Sequence, residues 1–224
     1  MKYYPINIDI RGKVAIIVGG GAVAERKCRT LLEAGAAVTV IAPRLTRELR
    51  YCLEKGRIVH LARNYRRGDL AGAFLVFAAT GDHAISSAVA EEAAEWHIPA
   101  NIADMPEKSD FTTPAVVARG ELLLTVSTGG KCPALSREIR RELETRYGDE
   151  YAEVLRIMGA VREKLLASKK GCRAVKDTLE SLLIRDLPGL VRGFSPDAVD
   201  RLLREVAGPG FSLAELGIGK GEPS

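Results

Sequence analysis

KVAIIVGGGAVA, residues 13–24, is the stretch that decides the fold. Residues 13–18 are apolar after the lysine and rich in β-branched side chains, the make-up of a strand buried on both faces of a parallel sheet. Three glycines end that run, and residues 23–32 read as a helix with Gly35 as its stop. Gly19, Gly21 and Ala24 match the spacing G-x-G-x-x-A between a strand and a helix. The first glycine makes the tight turn, and the second lets a pyrophosphate approach the backbone. The third small residue lets the helix pack closely on the strand. The free N–H groups of Ala22, Val23 and Ala24 would then meet the anion at the helix N-terminus, where the dipole favours negative charge. Many turns use glycine, so the triplet is informative because of its place in the first βαβ unit.

Outward from this loop, strand and helix alternate. Residues 37–41 form a second strand closed by Pro43, and 46–55 a helix with Thr46 as N-cap. Strands follow at 57–61 and 73–79, then a helix at 86–96 and a short strand at 99–103. This order predicts an α/β, Rossmann-type doubly wound parallel sheet. Beyond residue 104 the pattern changes. Residues 115–119 and 121–127, separated by Gly120, read as an antiparallel pair. Pro133 suits the first turn of a helix running to about residue 147. The remainder reads as helical at 149–168, 173–184 and 196–206, interrupted by Pro188, Gly189 and Gly193, with a frayed end GIGKGEPS. The expected domains are therefore a Rossmann NAD-binding domain at 1–112, a small α+β dimerisation and substrate-binding segment at 113–148, and a C-terminal helical domain at 149–224.

The ribose-binding acid of such folds belongs about 20 residues past the glycines, at the end of the second strand. That strand ends Ile41-Ala42-Pro43-Arg44, with no acid. Either backbone groups around Pro43 hold the ribose, or Arg44 accepts a 2′-phosphate and favours NADP over NAD. Arg44 as a plain surface residue is the simpler alternative.

Several segments together carry a resemblance: GGGAVAERK at 19–27, LLEAGAAVTVIAP at 31–43, AAT at 78–80, NIAD at 101–104, and TTPAVVARGELLLTVSTGGKCPALSREIRRELE at 112–144. The chain resembles the precorrin-2 dehydrogenase family, the amino-terminal module of siroheme synthases, closely over residues 3–150 and loosely beyond. The resemblance implies NAD-dependent oxidation of precorrin-2 to sirohydrochlorin in siroheme biosynthesis. In some members it implies insertion of ferrous iron as well. It implies a homodimer in which the segment after the Rossmann domain contacts its twin. It assigns one aspartate of an N-x-x-D segment to both reactions, here Asp104 after Asn101. It also implies that precorrin-2 comes from a separate protein, since the chain stops short of a methyltransferase domain. At the position of Thr128 the family often has a serine that can be phosphorylated; threonine keeps the hydroxyl.

The residues suit that chemistry. Asp104 follows a predicted parallel strand, where open α/β sheets place ligands. A carboxylate there accepts a proton as hydride leaves, although aspartate is also common at turns. Thr80 follows the fourth strand, and His83 lies just beyond it near the expected nicotinamide site. His83 reads as a proton donor or, more simply, a polar loop residue. Ser127, Thr128, Gly129 and Lys131 precede a helix and form an anion cradle suited to a polycarboxylate tetrapyrrole. Arg137, Arg140 and Arg141 share a helical face and either clamp substrate carboxylates or lie in solvated ion pairs.

Composition narrows the alternatives. With 33 basic and 29 acidic residues the net charge is +4, too small to mark a nucleic-acid binder. It conceals a local +6 over residues 44–67, +5 over 131–176 and −6 over 82–110. The two basic stretches give an anionic dinucleotide and a tetrapyrrole something to bind, and the second should border the substrate cleft. Four cysteines and three histidines show no metal-ligand spacing, so no resident metal site is expected. The N-terminus is not a signal peptide, and no apolar run reaches the ~20 residues a membrane span requires. A cytoplasmic enzyme is expected; the non-catalytic alternative is a dinucleotide-sensing regulator on the same fold.

Overall fold

In the computed structural model, which describes residues 2–168 and 171–219, the decisive strand lies at the centre of the sheet. The elements of the first unit run β1 (Val14–Val18), α1 (Ala22–Glu33), β2 (Ala37–Ile41), α2 (Arg47–Glu54), β3 (Ile58–Leu61), β4 (Leu75–Ala78), α3 (His83–Glu95) and β5 (Ala100–Ile102). All five strands are parallel, in the order β3-β2-β1-β4-β5. The order in which strands are added reverses at β1, outward to β2 and β3 on one side and to β4 and β5 on the other, so its carboxyl edge is the topological switch point where such sheets bind ligands. Val18 is level with both Ile41 and Ala78, and the loops after β1, β2 and β4 therefore leave the sheet side by side.

Burial on both faces explains the unbroken apolar strands. On one face Ala24, Cys28 and Leu31 of α1 pack over Ala15, Ile17, Val38 and Val40. On the other, Val89 and Ala93 of α3 pack over Ile16, Val18, Val76 and Ala78. Burial pushes the Cys28 thiol up to about 11, so this cysteine serves as a core residue.

A single buried carboxylate fixes the long β3–β4 connection. Glu92 of α3 is fully buried and accepts from the hydroxyl of Tyr65, the N–H of Gly68 at 3.0 Å and the N–H of Leu70 at 3.3 Å. Burial, then this carboxylate, pushes the Tyr65 phenol upward. Replacing Glu92 with alanine strands these donors in the interior. The expected loss is about 3 kcal/mol of stability in urea unfolding; a loss under about 1 kcal/mol would contradict this role.

The chain separates into two compact units, Met1–Thr113 and Pro114–Ser224. The second contains β6 (Ala115–Arg119) and β7 (Leu122–Val126), paired antiparallel, then α4 (Pro133–Arg146), α5 (Glu150–Ala167), α6 (Cys172–Ile184), α7 (Leu187–Arg192) and α8 (Pro196–Ala207). Its core joins Val154, Ile157, Val161 and Leu165 of α5 to Leu182, Leu187, Val199 and Leu203.

Four local differences from the expected elements have physical causes. Helix α3 starts at His83 rather than residue 86, because the Asp82 carboxylate caps the N–H groups of Ala84 and Ile85 at 2.9 and 3.2 Å. The hairpin turn has two residues, Gly120 and Glu121, with Gly120 at φ +55° as the strand twist requires. The helical run is interrupted at Arg185–Asp186, before Pro188 and Gly189, and again at Gly193. Asp186, at φ +59°, accepts from Gly189 N–H at 3.0 Å and starts α7, where proline costs no hydrogen bond. Of the tail expected to fray, Ile218 is buried in the second core; residues 220–224 lie outside the described residues. Among the described residues no helix is long and apolar enough to cross a membrane.

Candidate functional site

A cavity of about 520 Å³ opens along the carboxyl edge of the first unit, bounded by the glycine loop, Pro43–Thr46, Tyr65, Thr80 and Ile85. The three glycines there have separate tasks. Gly19 sits at φ +128°, and a Cβ on it would lie 2.2 Å from the carbonyl oxygen of Ala79. A Cβ on Gly20 would lie 1.9 Å from the carbonyl oxygen of Arg44. Gly20 also accepts from Thr46 N–H at 3.0 Å, which locks the loop after β2 against the loop after β1. The fingerprint spacing does not assign Gly20 a role; backbone proximity does. Gly21 is different: a Cβ there meets nothing within 4 Å.

That open flank fits a dinucleotide. Gly21 is the N-cap of α1 and no side chain caps this helix, so the N–H groups of its first turn, from Ala22 and Val23 onward, remain donors beside the cavity. Ala24 is fully buried and gives α1 its close approach to the sheet. Pro43 and Arg44 line the cavity with exposed side chains, and no acid lies at the end of β2. Thr80 lines it too, but its hydroxyl is engaged, accepting from Asp82 N–H at 2.8 Å and donating to Asp82 carbonyl at 3.1 Å.

Asp104 lies two residues past β5. Ser86, fully buried on α3, donates to Asp104 Oδ1 at 2.8 Å. Asp104 Oδ2 is buried without a hydrogen-bond partner, and the Nδ1 of His83 stands 3.4 Å from it. Ser86 and His83 thus join Asp104 in one cluster, and each directly follows a cavity-lining residue in sequence, Ile85 and Asp82. Ser86 is 18 residues from Asp104 and no motif links them, so only the packing of α3 on β5 reveals the pair. Asn101 serves a different neighbour: its amide donates to the Phe111 carbonyl at 2.9 Å and holds the segment after β5 to the sheet.

Lys27 was not singled out by sequence, yet it is the first unit's most perturbed lysine. Its Nζ donates to Thr113 Oγ1 at 2.5 Å and lies 5.4 Å from the Phe77 ring centroid. Burial, with Arg26 adding repulsion, lowers its pKa from 10.5 to about 8. The unfolded chain therefore binds more protons between those values, and stability rises as pH climbs through this window. In Lys27→Met this alkaline rise should disappear from thermal unfolding profiles; its persistence would assign it elsewhere.

In the second unit, the loop before α4 uses its hydroxyls internally. Ser127 Oγ accepts from Gly129 N–H at 3.2 Å. Thr128 Oγ1 accepts from Cys132 N–H at 3.3 Å and donates to its carbonyl at 3.1 Å. Lys131 and Arg137 are exposed, without an ion pair among the described residues. Arg140 and Arg141, by contrast, pair with Glu144 and Glu138 on their own helix. Among the described residues no cluster of three or more potential metal ligands occurs.

A parallel sheet with this loop at its switch point defines a dinucleotide-binding protein of the NAD(P) type, and residues 6–115 match the family model described as NAD(P)-binding. Siroheme synthase 3 of Aeromonas hydrophila is 36% identical over 228 residues, spanning 100% of this chain and 49% of that protein. Siroheme synthase of Methylobacillus flagellatus is 40% identical over 163 residues, 73% of this chain and 35% of that protein. The solved structure of SirC, precorrin-2 dehydrogenase, superposes with a TM-score of 0.74 at 25% identity, covering 91% of this chain and 98% of that one. The chain belongs to the siroheme synthase and precorrin-2 dehydrogenase family, and it spans about half the length of the curated siroheme synthases it matches.

Proposed function

We propose that the protein oxidises precorrin-2 to sirohydrochlorin with NAD as acceptor, in the cytoplasm. The observation that carries this reading is the unpaired, buried Oδ2 of Asp104, two residues past β5 on the carboxyl edge of the sheet along which the cavity opens. Bound NAD supplies the hydride acceptor. The chain supplies the rest: the first turn of α1 holds the pyrophosphate, and Gly21 leaves room for it. Ser86 orients Asp104, and Asp104 takes the substrate proton on Oδ2. Lys131 and Arg137, exposed and unpaired, offer charge to substrate carboxylates. Ferrous iron is the second substrate in this reading, with Asp104 accepting protons that leave the pyrroles.

The active form we propose is a homodimer. Helix α4 buries none of its residues, while Leu135, Leu123 and Val116 stand 51%, 47% and 37% exposed on α4, β7 and β6. A second copy would cover these exposed apolar side chains. Four free cysteines suit a reducing compartment.

Anaerobic incubation with precorrin-2 and NAD, and separately NADP, tests the activity. Sirohydrochlorin absorbance and NADH fluorescence should rise together. Absence of sirohydrochlorin at every enzyme concentration would refute the proposal.

A further inference from the structure

The two oxygens of Asp104 are not equivalent. Oδ1 already accepts from Ser86, whose full burial fixes that hydroxyl. Oδ2 has neither a donor nor contact with solvent, so it is the oxygen free to take a proton. A proton taken there must leave before the next turnover, and Oδ2 itself does not face water. The group facing it is His83, whose Nδ1 is 3.4 Å away and whose side chain is 75% exposed. Imidazole carries protons near neutral pH and has one nitrogen for each side of such a transfer.

We propose that His83 is the outlet for the proton acquired by Asp104, a positioning residue that acts through the carboxylate and connects it to solvent. This rests on the role proposed above for Asp104 as proton acceptor. In the balanced step a substrate C–H bond breaks, its hydride goes to the nicotinamide, and a substrate proton goes to Asp104 Oδ2. Oδ2 then gives a proton to His83 Nδ1, and Nε2–H gives one to water. No further oxidant or reductant is required.

The surroundings leave this route uncontested. His83 opens α3, and the Asp82 carboxylate beside it is held by the N–H groups of Ala84 and Ile85. From the 3-10 turn at Pro106–Lys108, Lys108 Nζ donates to Ser87 Oγ at 2.7 Å, and Ser87 donates to Glu91 at 3.0 Å. Those charges meet at Ser87, and neither is joined to Oδ2. The 3.4 Å separation is longer than a hydrogen bond, as is common for catalytic pairs before substrate binds.

The test compares His83→Gln and His83→Ala with the full wild-type chain, using precorrin-2 and NAD over roughly pH 6 to 9. The relay predicts that both variants lower kcat about tenfold to a hundredfold, with KM for each substrate within about twofold. The first turnover, followed by stopped flow, should keep its wild-type rate. Added imidazole should restore steady-state turnover in His83→Ala, and the pH profile should change shape. Wild-type kcat in both variants, a slow first turnover, or no restoration by imidazole would each overturn the relay. Asp104→Asn separates the two ideas. If it retains the first turnover, the reading of Asp104 falls and the relay with it. If it loses that turnover while the His83 variants match wild type, the relay alone falls.

Discussion

Asp104→Asn is expected to lower kcat for precorrin-2 oxidation about 10²- to 10⁴-fold, the range seen when a positioned general base is lost, with the Kd for NAD unchanged. Asparagine keeps the size of the side chain, and its amide oxygen can still accept from Ser86. What disappears is an oxygen able to take a proton at the Oδ2 position. Because Asp104 lies outside the pyrophosphate turn, dinucleotide titration should not register the change. Equal kcat in the variant would remove Asp104 from the reaction. Weakened NAD binding with unchanged kcat would make it a structural support of the cavity.

The second large effect separates two adjacent glycines. In Gly20→Ala the new methyl would sit 1.9 Å from the Arg44 carbonyl oxygen, a backbone atom that no side-chain rotation can move aside. The loop after β2 must move, with an expected loss of about 3 kcal/mol or more and a further loss of dinucleotide binding. In Gly21→Ala the methyl meets no protein atom within 4 Å, and the backbone there, at φ −87°, accepts alanine. Stability should change by less than about 1 kcal/mol. Affinity for NAD should nevertheless fall tenfold or more, because the methyl occupies the flank the pyrophosphate approaches. Chemical denaturation and NAD titration of both variants check this. Equal behaviour in the two assays would show that the loop does not divide its work in this way.

The sheet was legible because strands buried on both faces are largely apolar runs, and Gly19 after β1 and Pro43 after β2 mark where the first two end. Gly19 and Ala24 could be assigned from spacing alone. Gly20 could not, since its requirement comes from a carbonyl 24 residues away, brought close only when β1 and β2 align at Val18 and Ile41. Asp104 stood out by its place after a strand and by resemblance. Ser86 did not, and His83 stood out only as a residue near the nicotinamide rather than as a partner of Asp104, because both belong to a helix whose start is set by a cap at Asp82. Asn101 carries a contact its motif does not show, a bond from its amide Nδ2 to the Phe111 carbonyl. Pro188 and Gly189 suggested a break, but Asp186 supplied the bond that starts a helix through them. Spacing thus reveals what one segment does alone, and side chains that act across elements remain hidden until the elements pack.

The most direct test of the central claim follows one atom. Precorrin-2 carrying deuterium at the carbon to be oxidised is incubated anaerobically with the protein and NAD, and the NADH formed is analysed by mass spectrometry. The account predicts one deuterium on each NADH, with NADH and sirohydrochlorin in equal amounts. NADH without deuterium, or sirohydrochlorin without NADH, would contradict it.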